Sequence, residues 1–303
     1  MTNEAGILLE SGTNELEIIE FEVNNNKFGI NVLKVREIIQ PVPLTPIPHA
    51  HPNVLGIIQL RGEVLPVISM EKALNMYPTN EESKENEKFI VAEFNQQKVV
   101  FQVHHVTQIH RISWEQIEKP SNLYSVDSSH IIGVIKRETE MLLLIDFEKI
   151  VVDINPEAGI HVAKIKSLGV RERSLKRIIA AEDSPLLRKL IHETLHAAGY
   201  EQVEFFENGQ DALDYLQAIS KSGKNVYDEV QLVITDIEMP QMDGHHFAKR
   251  IQENEKLSKL PVIIFSSLIT DDLRHKGETV GAVEQVSKPE INELVLKIDQ
   301  HIL

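Results

Sequence analysis

From Arg177 onward one rhythm repeats five times: a short apolar run, a turn, then a segment with helical spacing. The runs are RIIAAE (177–182), VEFF (203–206), LVITD (232–236), PVIIFSS (261–267) and VEQVSKP (283–289). Ser184 reads as an N-cap with Pro185 at the first helical position, and Gly199 closes that helix. Strands that alternate with helices in this way form a parallel sheet wrapped by crossovers, which is an α/β architecture. In such sheets ligands bind at the carboxyl ends of the strands.

Those ends carry the chain's most reactive residues. Glu182 and Asp183 follow the first run, Asp236 ends the third, Ser266 ends the fourth and Lys288 follows the fifth. Asp236 is the hardest to explain, because an acid at the tip of an apolar strand is costly unless something pairs with it. Three carboxylates on one rim repel, each close pair by roughly 4 kcal/mol at an effective dielectric near 20. A hard divalent cation relieves that repulsion, and all-oxygen ligation suits Mg²⁺ better than Zn²⁺. A carboxylate beside a metal, an ammonium and a hydroxyl is equipped to attack a phosphoryl group.

The first half has a different texture. LEIIEFEV (16–23) alternates loosely, and the Asn24–Lys27 stretch supplies a turn before FGINVLKVREII. Prolines at 41, 43, 46, 48 and 52 mark a connecting loop, since proline at that density fits neither a ladder nor a helix. VLGIIQLRGEVLPVISM follows, then a short helical stretch and a polar segment over 79–88. Two hairpins come next, turning at Asn95–Gln97 and at Arg137–Glu140. Many short strands over 14–152 predict barrels or a sandwich. The mixed stretch 153–176 reads as a linker, and 177–303 as the second domain.

Residues 177–303 resemble a response-regulator receiver domain. The acidic pair of AEDSP, the acceptor in DIEMPQMDG, the hydroxyl of PVIIFSS and the Lys-Pro of SKP carry the likeness. The resemblance implies a flavodoxin-like (βα)5 fold in which Asp236 accepts phosphate from a histidine kinase. Asp183, Asp236 and the Glu238 main-chain carbonyl would bind Mg²⁺, with Glu182 acting through water and Ser266 and Lys288 contacting the phosphoryl oxygens. Receivers often carry an aromatic three residues before the Lys; here Gln285 stands there, so a switch by aromatic burial is not expected.

The segments KFGINVLKVREI, VLGIIQLRGEVLPVISM, VTQIHRISWEQIEKP and EMLLLIDFEKI resemble the CheW-like coupling domain of bacterial chemotaxis. That likeness implies an all-β pair of small barrels without catalytic residues, which binds chemoreceptors (methyl-accepting chemotaxis proteins) and the kinase CheA. By position, Val35, Glu37 and Arg61 would be contact residues, although Val35 also suits a core and Arg61 could brace the Gly62 turn. A CheW-like domain followed by a receiver is the layout of CheV-type coupling proteins, and implies an adaptor tuned by phosphorylation at Asp236. The alternative is an Mg²⁺-dependent phosphatase with Asp236 as nucleophile.

The formal charge of −15 disfavours nucleic acid and anionic membranes as main partners. No apolar run reaches the roughly 18 residues of a spanning helix, and MTNEA lacks the features of a secretory signal. The expectation is a cytoplasmic chain at chemoreceptor arrays, without membrane insertion. HETLH (192–196) matches the two-histidine zinc pattern, but the apolar stripe Leu186, Leu187, Leu190, Ile191, Leu195 leaves both histidines facing solvent with no third ligand evident.

Overall fold

The computed structural model describes residues 14–76, 86–94, 97–118, 130–137, 140–156, 173–269, 271–288 and 290–302. Contacts group the chain into two units. One comprises Leu16–Ile112 and Gln116–Ala158; the other comprises Gly159–Leu303 with Met1–Glu15 and Ser113–Glu115. The turn at Asn95–Gln96, the polar stretch 77–85 and linker residues 157–172 lie outside the described residues.

The first unit contains two sheets. Strands β1 (Glu15–Val23) and β2 (Asn26–Asn31) form a hairpin whose two turn residues, Asn24 and Asn25, have φ of 49° and 63°. Positive φ at both central positions is what a tight hairpin's twist requires, and asparagine tolerates it. The remaining elements are β3 (Val35–Ile39), β4 (Val54–Leu60), β5 (Glu63–Ser69), helix α1 (Met70–Ala73), β6 (Lys88–Phe94), β7 (Gln97–Val103), β8 (His105–Ser113), β9 (Ile117–Glu118), β10 (Ile131–Lys136), β11 (Met141–Ile145) and helix α2 (Phe147–Ile154). One sheet runs β8-β1-β2-β11-β10-β9 and the other β3-β6-β7-β5-β4.

Both sheets curl. The edge strands β8 and β9 are separated by only Trp114–Gln116, and the four steps from Ser113 to Ile117 span about 14 Å at most. In the second sheet, Arg61 after β4 meets Glu37 of β3, the opposite edge, at 3.0 Å. Phe21, Phe28, Phe101 and Phe147 fill the core, with Phe101 and Phe147 edge to face at 4.8 Å between centroids. The apolar stretch ending in DFEKI does not continue as strand beyond Ile145. Asp146 accepts from the Lys149 N–H and caps α2, which runs two residues past Val152.

The second unit follows the strand–helix rhythm. Its elements are β12 (Ser174–Ala181), α3 (Pro185–Ala197), β13 (Tyr200–Phe206), α4 (Gly209–Lys221), α5 (Val226–Glu229), β14 (Leu232–Thr235), α6 (Gly244–Gln252), β15 (Val262–Ser266), α7 (Asp271–Thr279), β16 (Glu284–Ser287) and α8 (Ile291–Ile302). All pairings are parallel and the order is β13-β12-β14-β15-β16. This is the flavodoxin-like order, with its switch point where β12 lies between β13 and β14. One apolar layer packs β12, β14 and β15 against α3 and α8, and a second packs the other face against α4 and α6. On α3 the expected stripe holds except at Leu186, which is 50% exposed. No helix among the described residues is long and apolar enough to cross a membrane.

Candidate functional site

The register of the two central strands brings the acids together. Ala181 at the end of β12 pairs with Thr235 at the end of β14, and the Asp236 N–H donates to the Ala181 carbonyl at 3.0 Å. Glu182 and Asp236 therefore leave adjacent strands side by side at the switch point, and Asp183 joins them from the next residue. One carboxylate oxygen from each of Glu182, Asp183 and Asp236 lies within 4.8 Å of the others.

Lys288 completes the cluster from β16. Its N–H donates to the Ser266 carbonyl, which sets the end of β16 beside β15. Its Nζ donates to Glu182 Oε2 at 2.7 Å and to Asp236 Oδ2 at 2.9 Å, and the side chain is 3% exposed. Asp236 Oδ1 accepts from the Ile237 N–H at 2.6 Å. Burial pushes the Glu182 carboxyl up to about 7; the adjacent Asp236 charge adds to this, against the pull of Lys288. One ammonium is thus shared by two of the three clustered carboxylates. An all-oxygen donor set with spare negative charge fits a hard divalent cation such as Mg²⁺.

Ser266 is fully buried at the end of β15, where its hydroxyl accepts from the Leu268 N–H at 3.3 Å. Glu238 is half-buried two residues beyond Asp236, and its carboxylate is not part of the acid cluster. Gln285 is 8% exposed and donates from Nε2 to the Arg274 carbonyl of α7 at 2.5 Å, so this position is already turned inward. His192 and His196 stack at 6.3 Å between centroids on an exposed face, and the acid cluster is the only metal-competent group among the described residues.

Two contributors escape sequence reasoning. Gly244, the first residue of α6, packs on the backbone under the acceptor: a Cβ there would lie 1.9 Å from the Asp236 carbonyl oxygen. The Asp243–Gly244 pair signalled a turn but not that approach. Arg188 donates to the Glu182 and Asp183 carbonyls, and no pattern of spacing marks an arginine for backbone contacts.

In the first unit Val35 packs partly buried against the aromatic core. Arg61 is 79% exposed at φ 50° in the turn completed by Gly62, and it pairs with Glu37. The three contact candidates thus divide into one core-supporting residue and one exposed ion pair.

Comparison with known proteins matches residues 17–155 to the CheW-like domain and residues 178–299 to the response regulator receiver domain. The chain is 31% identical to chemotaxis protein CheV3 of Helicobacter pylori over 90% of each chain. It is 28% identical to CheV2 of the same organism over 93% of each. It is also 34% identical to chemotaxis protein CheW of Rhizobium meliloti over 50% of this chain and 94% of that one. A CheW-like domain followed by a receiver domain accounts for nearly the whole sequence, and the chain belongs to the CheV family of chemotaxis proteins.

Proposed function

We propose that this chain is a chemotaxis adaptor whose coupling to its partners is set by phosphorylation of Asp236. The coupling domain (14–152) bridges chemoreceptors and the kinase CheA at the receptor array, with the Glu37–Arg61 pair and Val35 at or near the contact surface. The receiver (177–303), joined by a linker at 153–176, takes the phosphoryl group from a phosphohistidine of CheA. The observation that carries this reading is the Lys288 ammonium held 2.9 Å from Asp236 Oδ2, inside a cluster of three acids at the switch point.

In the transfer, a carboxylate oxygen of Asp236 attacks phosphorus, the P–N bond breaks, and its electron pair stays on the imidazole nitrogen. Lys288 neutralises charge on the phosphoryl oxygens, and Ser266 stands on the same rim to donate its hydroxyl to one of them. Asp183, Asp236 and the Glu238 carbonyl would hold Mg²⁺, with Glu182 acting through water; the ion supplies further charge neutralisation at the phosphoryl group. The product replaces a single carboxylate charge with a phosphoryl group carrying close to two, a net gain of about one negative charge, beside an ammonium already shared by Glu182 and Asp236. Redistribution of Lys288 and Ser266 toward the new oxygens is the local event that biases the output.

The test is receptor-stimulated CheA activity in a reconstituted mixture of chemoreceptor, CheA and this chain. With the native chain, activity drifts to a new level as acyl phosphate accumulates; with Asp236→Asn it stays at its initial level. A variant that drifts like the native chain contradicts the reading. Sustained hydrolysis of p-nitrophenyl phosphate by the native chain would point to a phosphatase instead.

A further inference from the structure

We propose that Arg188 is a positioning residue for the metal-binding acids, fixing the direction of the Asp183 side chain through its two flanking peptide groups. The inference rests on the reading that the acid cluster holds Mg²⁺. Arg188 lies in the first turns of α3, with its own N–H bonded to the Ser184 carbonyl. Its Nη1 donates at 2.9 Å to the Glu182 carbonyl and at 2.9 Å to the Asp183 carbonyl. Those two oxygens belong to the peptide planes on either side of the Asp183 Cα.

Each peptide is a rigid plane. Pinning both therefore fixes φ and ψ at Asp183, and with them the line along which its Cβ leaves the backbone. Nη2 anchors the guanidinium at the far side to Glu207 Oε1, 3.1 Å away, just beyond β13. The Arg188 side chain is only 18% exposed, whereas Glu207 is 55% exposed. The backbone contacts are thus the protected ones.

Glu182 has supports of its own. Its N–H is bonded to the Phe206 carbonyl, its Oε1 accepts from the Ser184 N–H, and its Oε2 accepts from Lys288. Asp183 is only partly buried, and it follows a strand end where the chain turns at once into α3. Without Arg188 the Glu182–Asp183 peptide loses that donor and the Asp183–Ser184 peptide keeps its Ser184 N–H bond to Glu182, so the direction of the Asp183 carboxylate is set less tightly.

The experiment titrates the full chain with Mg²⁺ by calorimetry, comparing native, Arg188→Met and Arg188→Lys. Residues supporting metal ligands from behind are typically worth 10- to 100-fold in affinity, so Arg188→Met should need about tenfold more Mg²⁺ for half-saturation. Arg188→Lys keeps a donor for the two carbonyls but loses the fork to Glu207, and should fall between, about threefold weaker. At saturating Mg²⁺, phosphorylation by phosphoramidate should return to near the native rate, because only the metal requirement has changed.

In the metal-free chain, hydrogen exchange at the Asp183 and Ser184 amides should speed up in Arg188→Met while α8 exchanges as before. A folded Arg188→Met with native half-saturation and native exchange overturns the proposal. If that variant does not fold, Arg188→Lys decides it: native half-saturation in Arg188→Lys overturns the proposal. A native chain that binds no Mg²⁺ would instead overturn the metal reading, and the exchange measurement would still report on Arg188.

Discussion

Lys288 Nζ stands 2.9 Å from Asp236 and 2.7 Å from Glu182, so one ammonium serves two carboxylates whose side chains are 9% and 3% exposed. Removing one member of a buried ion group leaves uncompensated charge and costs about 3–5 kcal/mol. Lys288→Met should therefore lower the stability of the C-terminal unit by about 3 kcal/mol, tempered by protonation of Glu182. A divalent cation can replace the lost charge, so saturating Mg²⁺ should raise the melting temperature more in the variant than in the native chain. Scanning calorimetry with and without Mg²⁺ measures both shifts; equal shifts would contradict the role given to Lys288.

Gly244 sets the backbone distance under the acceptor. A methyl group at this position meets the Asp236 carbonyl oxygen at 1.9 Å and the Asp236 carbonyl carbon at 2.8 Å. The obstacle is backbone rather than a flexible side-chain end. Gly244→Ala should destabilise the C-terminal unit by about 3 kcal/mol, the upper end for overpacking, and slow labelling of Asp236 by phosphoramidate. Urea unfolding and the labelling rate check this; native behaviour in both would show that the loop yields without moving the acceptor.

In the first unit, Glu20 is 1% exposed and meets Arg137 at 2.6 Å, His110 at 2.7 Å and Thr107 at 3.0 Å. Burial alone raises its pKa, but the hydrogen bonds from Arg137, His110 and Thr107 outweigh burial and hold it at about 2. A carboxyl depressed in the folded state contributes stability above its unfolded value near 4.5, and that contribution fades as pH falls toward 2. The contribution is about 3 kcal/mol. Hydrogen exchange of β1 and β8 amides should accelerate as pH drops through this window, after correction for intrinsic rates. Glu20→Gln should show high exchange already at neutral pH and no further change in the window. An unchanged native profile would mean the network contributes nothing.

The C-terminal sheet was legible because buried parallel strands are continuous apolar runs, and Ser184, Pro185 and Gly199 punctuate the helix after the first. The acids, Ser266 and Lys288 were legible for the same reason: each stands at a strand end, and the fold rule says where strand ends point. Helix α2 was not, because Ile150, Val151 and Val152 read as strand residues and the local cap at Asp146 decides the matter. Glu20 was hidden in an apolar run. Its partners Thr107, His110 and Arg137 lie 87 to 117 residues away, so no local pattern could announce a satisfied buried charge. Arg188 acts on backbone carbonyls, and side-chain spacing carries no trace of such a contact.

The most direct measurement exposes the chain to radiolabelled phospho-CheA with Mg²⁺ and maps the label by mass spectrometry. The expected result is one alkali-labile phosphoryl group per chain, on Asp236, absent from Asp236→Asn and lost from the native chain when Mg²⁺ is chelated. Label persisting on Asp236→Asn, or a native chain that takes none, would contradict the assignment of this strand-end carboxylate as the phosphoacceptor.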